Sequence, residues 1–555
     1  MNRKNLLILG FALMLGGTQV WSQTRSDSLL TRDLLLEKDF TPQVEHSGKV
    51  FQMPETESLK TNRQSLKFAT GSNLLTLDND YVPMQPAEAW VNFPHQDYSG
   101  YARLATSGLH FLADGQWNIL HQERQRLELL MHSRVQERPF FTEPQRAFNN
   151  HSQLLANYQY HFNCCALTAS LEESYRSWNY AINGLSRGDD GVPGNSRSSD
   201  TRLSLGIASK PWDKDFNYHL HADGHIFYLD RPDERASGQS ERSLDMRGGA
   251  SYHIGDNWLA QLDVDARYLS YSASTPLTSL FWFDIKPQAT YSWRLWDFSL
   301  GAHLSSTLAE TNSFKFAAMA SAKRGLGEKA AFCLSLDGGE RLYSYRESFK
   351  INPYLDFGEK IASSYSPVHL NADLQWNPID MLQIRAEAGY QYLQNLAQFS
   401  PVRETSAGVA LGPTFGLSYL DSHIMYIGSG ADFSYGKLLR LSGDIRFQHF
   451  DKQLCYLPAW TLNMALELRP TAKLSLSANY FAALQRYMPS TAEGSRLKMN
   501  DFHYWQACLS YQLTRQWDIF AQYHPFSDTN FAMWNSSYSG FFPACFPLVG
   551  ASFTF

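Results

Sequence analysis

The sequence lacks any run of apolar residues long enough to cross a membrane as a helix. Beyond Leu15 no stretch approaches the roughly 18 apolar residues that a spanning helix needs. Charged residues make up only 18% of the chain, below the roughly 25% that is usual in soluble proteins. Mean hydropathy is nevertheless −0.36, which is too polar for a protein built of membrane helices. These shortages exclude a helical membrane protein and are unusual for a soluble one.

Cysteine is scarce, and its spacing carries no metal motif. The cysteines are scattered without CxxC or zinc-type spacing, so the sequence predicts neither a metal cluster nor a disulfide scaffold. They are Cys164, Cys165, Cys333, Cys455, Cys508 and Cys545. Basic charge is not concentrated either, because the net charge is −6 and no basic patch occurs. Nucleic acid is therefore not expected as a partner.

Motifs of enzyme chemistry are also missing. The chain contains no glycine-rich phosphate loop, no HExxH and no GxSxG. We therefore predict that the protein is not an enzyme and that it uses no cofactor.

Aromatic residues, in contrast, are abundant. They form 14% of the chain, with 29 Tyr, 35 Phe and 14 Trp. A chain that is rich in aromatics and polar on average is typical of strands that alternate lipid-facing and water-facing side chains.

The first residues have the features of a secretory signal peptide. Arg3 and Lys4 give a positive start, a short apolar core follows up to Leu15, and small residues lie near Ser22. We expect cleavage before Gln23, so that residues 1–22 are removed and the mature chain leaves the cytoplasm.

Polar and apolar residues alternate along most of the chain from residue 98 onward, which is the period of a β-strand. Clear examples are HLHADGH at 219–225, QLDVDARY at 261–268 and LQIRAEAGY at 382–390. The polar members are the predicted lumen-lining residues of a barrel: His219, His221, Asp223, His225, Asp263, Asp265, Arg267, Arg385 and Glu387. Alternation by itself also fits the outer face of a soluble sandwich.

The histidine run is a candidate metal site, but strand geometry argues against one. A rise of about 3.3 Å per residue separates His219 and His225 by roughly 20 Å, so one ion cannot bind both. At most an adjacent pair would share an ion, with ligands from a neighbouring strand. We predict hydrated side chains along a lumen and no metal.

The connections between the predicted strands favour a membrane barrel. Short connections alternate with longer polar stretches such as 181–201 and 343–366, as in outer-membrane barrels with tight periplasmic turns and long outer loops. The short connections lie near 121–125, 163, 212–214, 255–257, 294–295, 325–328, 377–380, 436–437, 471–473 and 514–516. They predict an all-β fold, a transmembrane antiparallel β-barrel of about 22 strands over residues 98–555.

Two further features agree with this fold. Tryptophans beside the short turns predict a periplasmic aromatic belt: Trp212, Trp258, Trp293, Trp296, Trp376 and Trp517. The last strand places alternate residues on one face and ends on an aromatic, which resembles the C-terminal assembly signal of outer-membrane barrels. These residues are Val549, Ala551, Phe553 and Phe555.

The segments at 32–54, RDLLLEKDFTPQVEHSGKVFQMP, and 100–120, GYARLATSGLHFLADGQWNIL, resemble barrel proteins of Bacteroidota-type bacteria that are grouped with TonB-dependent receptors. The resemblance implies an outer-membrane transporter or receptor. This chain departs from that pattern, because residues 23–97 are too few and too rich in proline for a full plug domain. Those prolines are Pro42, Pro54, Pro83, Pro86 and Pro94. We expect residues 23–97 to be extended in the periplasm or threaded into the lumen.

The sequence thus predicts two functions in different classes. The first is the binding of a solute in a polar lumen or its passage through it. Passage would be gated by residues 23–97 or would occur by simple diffusion. The alternative is a structural or accessory barrel subunit of a multi-protein outer-membrane complex. In both, the expected partners are outer-membrane lipids, the barrel assembly machinery and other envelope proteins, in the outer membrane of a Gram-negative bacterium.

Overall fold

The computed structural model describes residues 99–555 with internal gaps, so residues 1–22 and 23–97 lie outside the described residues. The gaps are 108–109, 123, 140–145, 179–195, 210–214, 231–237, 273–276, 310–311, 328, 354, 356–360, 403–404, 407–408, 411–413, 453, 455–456, 490–495, 500 and 524–546.

Most of the described chain forms one antiparallel sheet of 22 strands. Its strands are β1 (Gly100–Thr106), β2 (His110–His121), β3 (Gln125–Pro139), β4 (Arg146–His161), β5 (Cys165–Trp178), β6 (Ser196–Ser209), β7 (Phe216–Asp230), β8 (Gln239–Ile254), β9 (Trp258–Tyr271), β10 (Leu280–Trp293), β11 (Trp296–Leu308), β12 (Ser313–Gly325), β13 (Ala330–Leu342), β14 (Ser363–Ile379), β15 (Leu382–Val402), β18 (Thr414–Tyr435), β19 (Leu439–Phe450), β20 (Trp460–Leu468), β21 (Leu474–Leu484), β24 (Phe502–Gln512), β25 (Trp517–Tyr523) and β26 (Leu548–Thr554). Two small hairpins lie between barrel strands, β16 (Thr405–Ser406) with β17 (Val409–Ala410) and β22 (Tyr487–Pro489) with β23 (Arg496–Lys498). One helix, α1 (Tyr345–Ile351), lies between β13 and β14.

The sheet closes on itself through its first and last strands. β1 pairs with both β2 and β26, and backbone hydrogen bonds join the two ends, from Gly100 N to Phe555 O at 3.0 Å and from Phe555 N to Gly100 O at 2.9 Å. Closure leaves no free edge at this junction, which is what a barrel in a membrane requires. The predicted all-β barrel and its count of about 22 strands are confirmed.

Alternation along each strand separates an apolar outer face from a polar inner face. On β7, Leu220 and Ile226 are 49% and 56% exposed, whereas Asp223 and His225 on the opposite face are buried. A lipid-facing wall needs such an apolar surface, because bare polar groups in hydrocarbon are costly. Among the residues described, no helical segment is long enough and apolar enough to span a membrane.

The connections at the two ends of the barrel differ in length. At one end the strands are joined by tight turns, where Gly255, Gly327 and Gly436 adopt positive φ angles of 65°, 74° and 54°, a conformation that glycine adopts without steric cost. The other end, here called the long-loop end, carries the longer connections, including residues 343–362 between β13 and β14.

β13 leaves the barrel wall before it reaches the long-loop end. The β13–β14 register shifts between Asp337 and Gly339, and Gly339 has a φ of 138°. A Cβ at Gly338 would lie 2.7 Å from the Ala317 Cβ of β12, so β13 crosses over the side-chain face of β12. Only glycine allows so close an approach. The end of β13 is thereby directed into the lumen.

Candidate functional site

The described residues that follow β13, beginning at Tyr343, fold into the lumen rather than outward as a loop. We call residues 343–362 the lumen segment, of which the structure describes 343–353, 355, 361 and 362. It begins with α1, whose sequence S-Y-R-E contains a capping box: Glu347 N donates to Ser344 Oγ at 3.1 Å, and Ser344 N donates to Glu347 Oε2 at 3.0 Å. This arrangement satisfies free backbone donors at the start of the helix. The positive charge of Lys350 in the last turn interacts favourably with the negative end of the helix dipole.

A bidentate ion pair joins α1 to the wall. Arg267 on β9 donates from Nη1 to Glu347 Oε2 and from Nη2 to Glu347 Oε1, both at 2.9 Å. Its Nε donates to Asp245 Oδ1 at 2.5 Å and its Nη1 also donates to Leu342 O at 2.8 Å. The planar guanidinium therefore has a carboxylate on each of two sides, the geometry in which arginine pairs are strongest.

Two further carboxylates of the wall bind α1. Glu241 Oε2 on β8 accepts from the backbone N–H of Tyr345 at 2.7 Å and of Arg346 at 3.3 Å, at the helix N-terminus. Asp200 Oδ2 on β6 lies 2.7 Å from Lys350 Nζ and 3.4 Å from Arg346 Nη1. Strands β6, β8 and β9 thus all contribute anchors to one short helix.

Burial and charge act in opposite directions on Glu347. Burial by itself raises its pKa, but the Arg267 guanidinium, and after it that of Arg346, outweighs burial and lowers the pKa to about 2. Glu347 is therefore ionised when the segment is in place.

An apolar cluster continues from α1 across the lumen. The Phe349 ring lies 6.1 Å from Trp178 on β5 and 5.3 Å from Phe227 on β7. Leu355 pairs through its backbone with Phe415 on β18. The buried members, here called the apolar lumen cluster, are Trp178, Phe227, Leu229, Tyr343, Tyr345, Phe349, Ile351, Leu355, Leu393, Leu396, Ala397, Phe399, Phe415, Leu417, Ile424, Tyr426, Leu454, Leu457, Ala483, Met499, Phe502 and Tyr504. Since these belong to β5 and β7 on one side and to β15, β18 and β24 on the other, the cluster crosses the barrel interior.

The predicted histidine strand contributes polar pairs to the wall. Asp223 Oδ1 accepts from Arg202 Nη2 at 2.7 Å, and its Oδ2 lies 2.9 Å from His221 Nε2. His225 Nδ1 lies 3.4 Å from Asp200 Oδ1, which connects this strand to an anchor of α1. In the described part of the chain, no three His, Cys, Asp or Glu side chains are arranged to hold a metal ion.

The other predicted lumen residues are distributed over separate strands. The His219 ring lies against Gly249, where a Cβ would be 2.3 Å from its Cε1. Gln261 Nε2 donates to Asp263 Oδ2 at 2.6 Å, and Lys286 Nζ donates to Asp265 Oδ2 at 2.6 Å.

A further pair of predicted residues lies on β15. Arg385 donates to Asp432 at 2.9 Å, and Glu387 Oε1 lies 3.8 Å from Arg446 Nη1. Of all nine candidates, Arg267 binds the lumen segment directly.

The predicted belt residues within the described chain lie beside the tight turns. Trp258, Trp293, Trp376 and Trp517 are 46–49% exposed, and Trp296 pairs with Trp293 across the β10–β11 turn. Trp212 lies outside the described residues.

The alternate residues of β26 pair with both neighbouring strands. Val549 is 60% exposed and pairs with Thr106, Ala551 pairs with Leu104, and Phe553 pairs with Ala102. The Phe553 ring lies 4.8 Å from that of Trp517 on β25, and Phe555 is 40% exposed.

Sequence reasoning missed the lumen segment and its anchors Asp200, Glu241, Asp245 and Glu347. Residues 343–366 were expected to be a long polar connection, yet they contain a helix and the start of β14. Two signals were present: the Ser344-x-x-Glu347 capping box and the adjacent glycines at 338–339.

Comparison with known proteins supports the fold. The chain is similar to the copper transporter OprC, with a TM-score of 0.58, 12% identity and coverage of 82% of this chain and 80% of that chain. It is similar to the ferric-catecholate import receptor Fiu of E. coli, with a TM-score of 0.59, 10% identity and coverage of 83% and 82%. It is also similar to the FrpB iron transporter of Neisseria meningitidis, with a TM-score of 0.60, 8% identity and coverage of 83% of both chains. These neighbours are a copper transporter, a ferric-catecholate import receptor and an iron transporter. At such identities the likeness defines the fold class alone. No protein-family model and no curated protein matches the sequence.

Proposed function

We propose that the protein is an outer-membrane transporter or receptor of a Gram-negative bacterium, which binds or passes a solute through its lumen. The observation that carries this proposal is the lumen segment. Its described residues lie inside a polar-walled barrel, and α1 is held to the wall by ion pairs, which can exchange partners. The transporter and receptor neighbours support the same class of function.

The lumen segment acts as the closure of the pathway in this proposal. The apolar lumen cluster excludes water from the long-loop end, while the polar wall below it solvates a solute. Movement of α1 away from Arg267, Glu241 and Asp200 opens the path. Residues 23–97 remain a second predicted gate.

Conductance of the purified protein in planar bilayers tests the proposal. The wild-type chain should conduct little, and replacement of residues 343–362 by a short Gly-Ser linker should raise the conductance. Deletion of residues 23–97 in a parallel variant tests the second gate. If neither change raises conductance, the lumen is not a transport path. Stoichiometric partners after purification in mild detergent would then favour the structural subunit.

A further inference from the structure

The ladder between β12 and β13 stops partway along the wall. β12 pairs with β11 from Ser313 to Arg324 but with β13 only from Ala320 to Gly325. Within the described residues, positions 313–319 therefore have no ladder partner on the β13 side, because β13 has turned into the lumen. β12 has 13 residues, so this open edge covers about half of the strand.

Side-chain contacts from β14 close this edge. The Tyr365 hydroxyl donates to Phe316 O, and Lys315 Nζ lies 4.7 Å from the centroid of the Tyr365 ring. We call this contact the seam. A ladder opens only when many backbone bonds break together, whereas these contacts are made by the side chains of Tyr365 and Lys315. Unpaired backbone groups at a strand edge are unfavourable in a bilayer. An edge that is closed by side chains alone therefore calls for a functional explanation.

Apolar surface lies on both sides of the seam. On the outside, Phe314 and Phe316 are 70% and 56% exposed. On the inside, Leu342 at the end of β13 packs with Leu269 and Leu280 in a small buried cluster. Ile361, two residues before β14, packs against both that cluster and the apolar lumen cluster. Beside the seam the buried Glu340 accepts from Thr307 and Ser363. A hydrocarbon chain entering from the outer face therefore meets apolar contacts at Leu342 and Ile361, beyond that carboxylate.

The seam also carries a positive charge. Lys315 contacts the Tyr365 ring, and among the described residues it has no carboxylate partner. Lys315 alternates with the outward-facing Phe314 and Phe316, so its charge lies on the inner face of β12, where it can pair with an anionic headgroup that enters the seam.

We propose that the seam is a lateral passage between the lumen and the bilayer for a single-chain anionic amphiphile, such as a fatty acid. The hydrocarbon chain slides past Phe314 and Phe316 toward Leu342 and Ile361, and the headgroup pairs with Lys315. This inference rests on the proposed transport function and names its substrate class. The hydrocarbon chain of such a substrate explains why the long-loop end of a polar lumen is filled with buried aromatic and aliphatic side chains.

A reversible lock across the seam tests the passage. In a chain whose native cysteines are replaced by serine, Lys315→Cys and Tyr365→Cys are joined by a reducible bismaleimide. Transfer of a fluorescent hexadecanoic acid into proteoliposomes should fall at least tenfold on cross-linking and recover on reduction to the rate of the same double-cysteine variant before cross-linking. Equal transfer in the locked and reduced forms overturns the proposal.

Two controls separate this inference from the proposed function. In the first, the cross-linked double-cysteine variant also carries Glu347→Gln, which opens the lumen to ions. Its ion conductance should not change when the cross-link is reduced. Conductance without any amphiphile transfer refutes the seam alone, and the absence of both refutes transport altogether.

The charge is tested by Lys315→Glu, which should lower transfer about fivefold, whereas Lys323→Glu on the paired part of the same strand should not. An equal effect of the two substitutions contradicts the role of Lys315.

Discussion

The guanidinium of Arg267 and the carboxylate of Glu347 lie side by side, with two hydrogen bonds of 2.9 Å each. One residue belongs to a wall strand and the other to the helix inside the lumen. With the Glu241 and Asp200 contacts, this pair anchors the helix to the wall. Asp245 holds the far edge of the same guanidinium at 2.5 Å, so the arginine keeps a partner when α1 moves.

Breaking this pair should open the lumen. Arg267→Met removes the cation that is hydrogen-bonded to both Asp245 and Glu347, and removal of one partner of a buried pair costs about 3–5 kcal/mol. Glu347→Gln leaves Arg267 paired with Asp245 and should have a smaller effect. We expect single-channel open time to rise in the order wild type, Glu347→Gln, Arg267→Met.

The control for this prediction is Arg385→Met. Arg385 pairs with Asp432 at 2.9 Å, but its side chain is 56% exposed, and an exposed ion pair contributes little. An open time for Arg385→Met equal to that of Arg267→Met would refute a specific role for the α1 pair.

Acid should weaken closure through Glu347. Its pKa is about 2 with the segment in place and about 4.3 for a glutamate in solvent. A lowered pKa stabilises the closed state fully above the solvent value, and this contribution is lost as the pH falls toward 2. Conductance should therefore rise between about pH 4.5 and 2. Glu347→Gln should lack this component, and an identical pH profile in both proteins would show that another group controls opening.

The capping box gives a milder test of α1. Ser344→Ala removes the Oγ that accepts from Glu347 N, and loss of an N-cap costs about 1 kcal/mol. Proteolysis within residues 343–362 should become severalfold faster. Ser344→Asp, which also caps helices, should restore the wild-type rate. Unchanged proteolysis of Ser344→Ala would mean that the wall anchors alone hold the helix.

The orientation of the wall is tested on β5. Leu171 is 52% exposed on the outer face, whereas Ser170 beside it faces the lumen. Leu171→Arg near the middle of the strand should reduce stability in lipid by about 2–4 kcal/mol, and Ser170→Arg should change it little. Urea unfolding in lipid vesicles, followed by heat-modifiable gel migration, measures both. Equal destabilisation would contradict a lipid-facing outer surface.

The sequence was sufficient to predict the barrel because every strand carries its own local signal. Alternation of side chains and the alternating lengths of connections depend only on neighbouring residues, so a count of about 22 strands could be predicted. The path of β13 could not, because it depends on contacts with residues remote in sequence, such as Ala317 on β12 and Arg267 on β9. No local periodicity distinguishes a strand that stays in the wall from one that leaves it.

The same reasoning applies to the candidate site. The alternation in 261–268 identified Arg267 as polar and inward-facing, but Glu347 is 80 residues away in the chain. The partner of a charged lumen residue is set by the tertiary fold. The glycines at 338–339 were the one local indication that the backbone changes direction there.

The close approach of β13 to β12 gives the last prediction. A Cβ at Gly338 would lie 2.6 Å from Ser366 O and 2.7 Å from the Ala317 Cβ, and the backbone oxygen cannot move without disturbing β14. Gly338→Ala should therefore destabilise the barrel by roughly 1–3 kcal/mol and shift its urea midpoint downward. It should also raise conductance, because the displaced β13 pulls Leu342 O away from Arg267. Gly115→Ala on β2 is the matched control, since its nearest contact would be Tyr101 O at 3.6 Å. If the two alanine variants unfold at the same urea concentration, β13 does not cross β12 as closely as the structure places it.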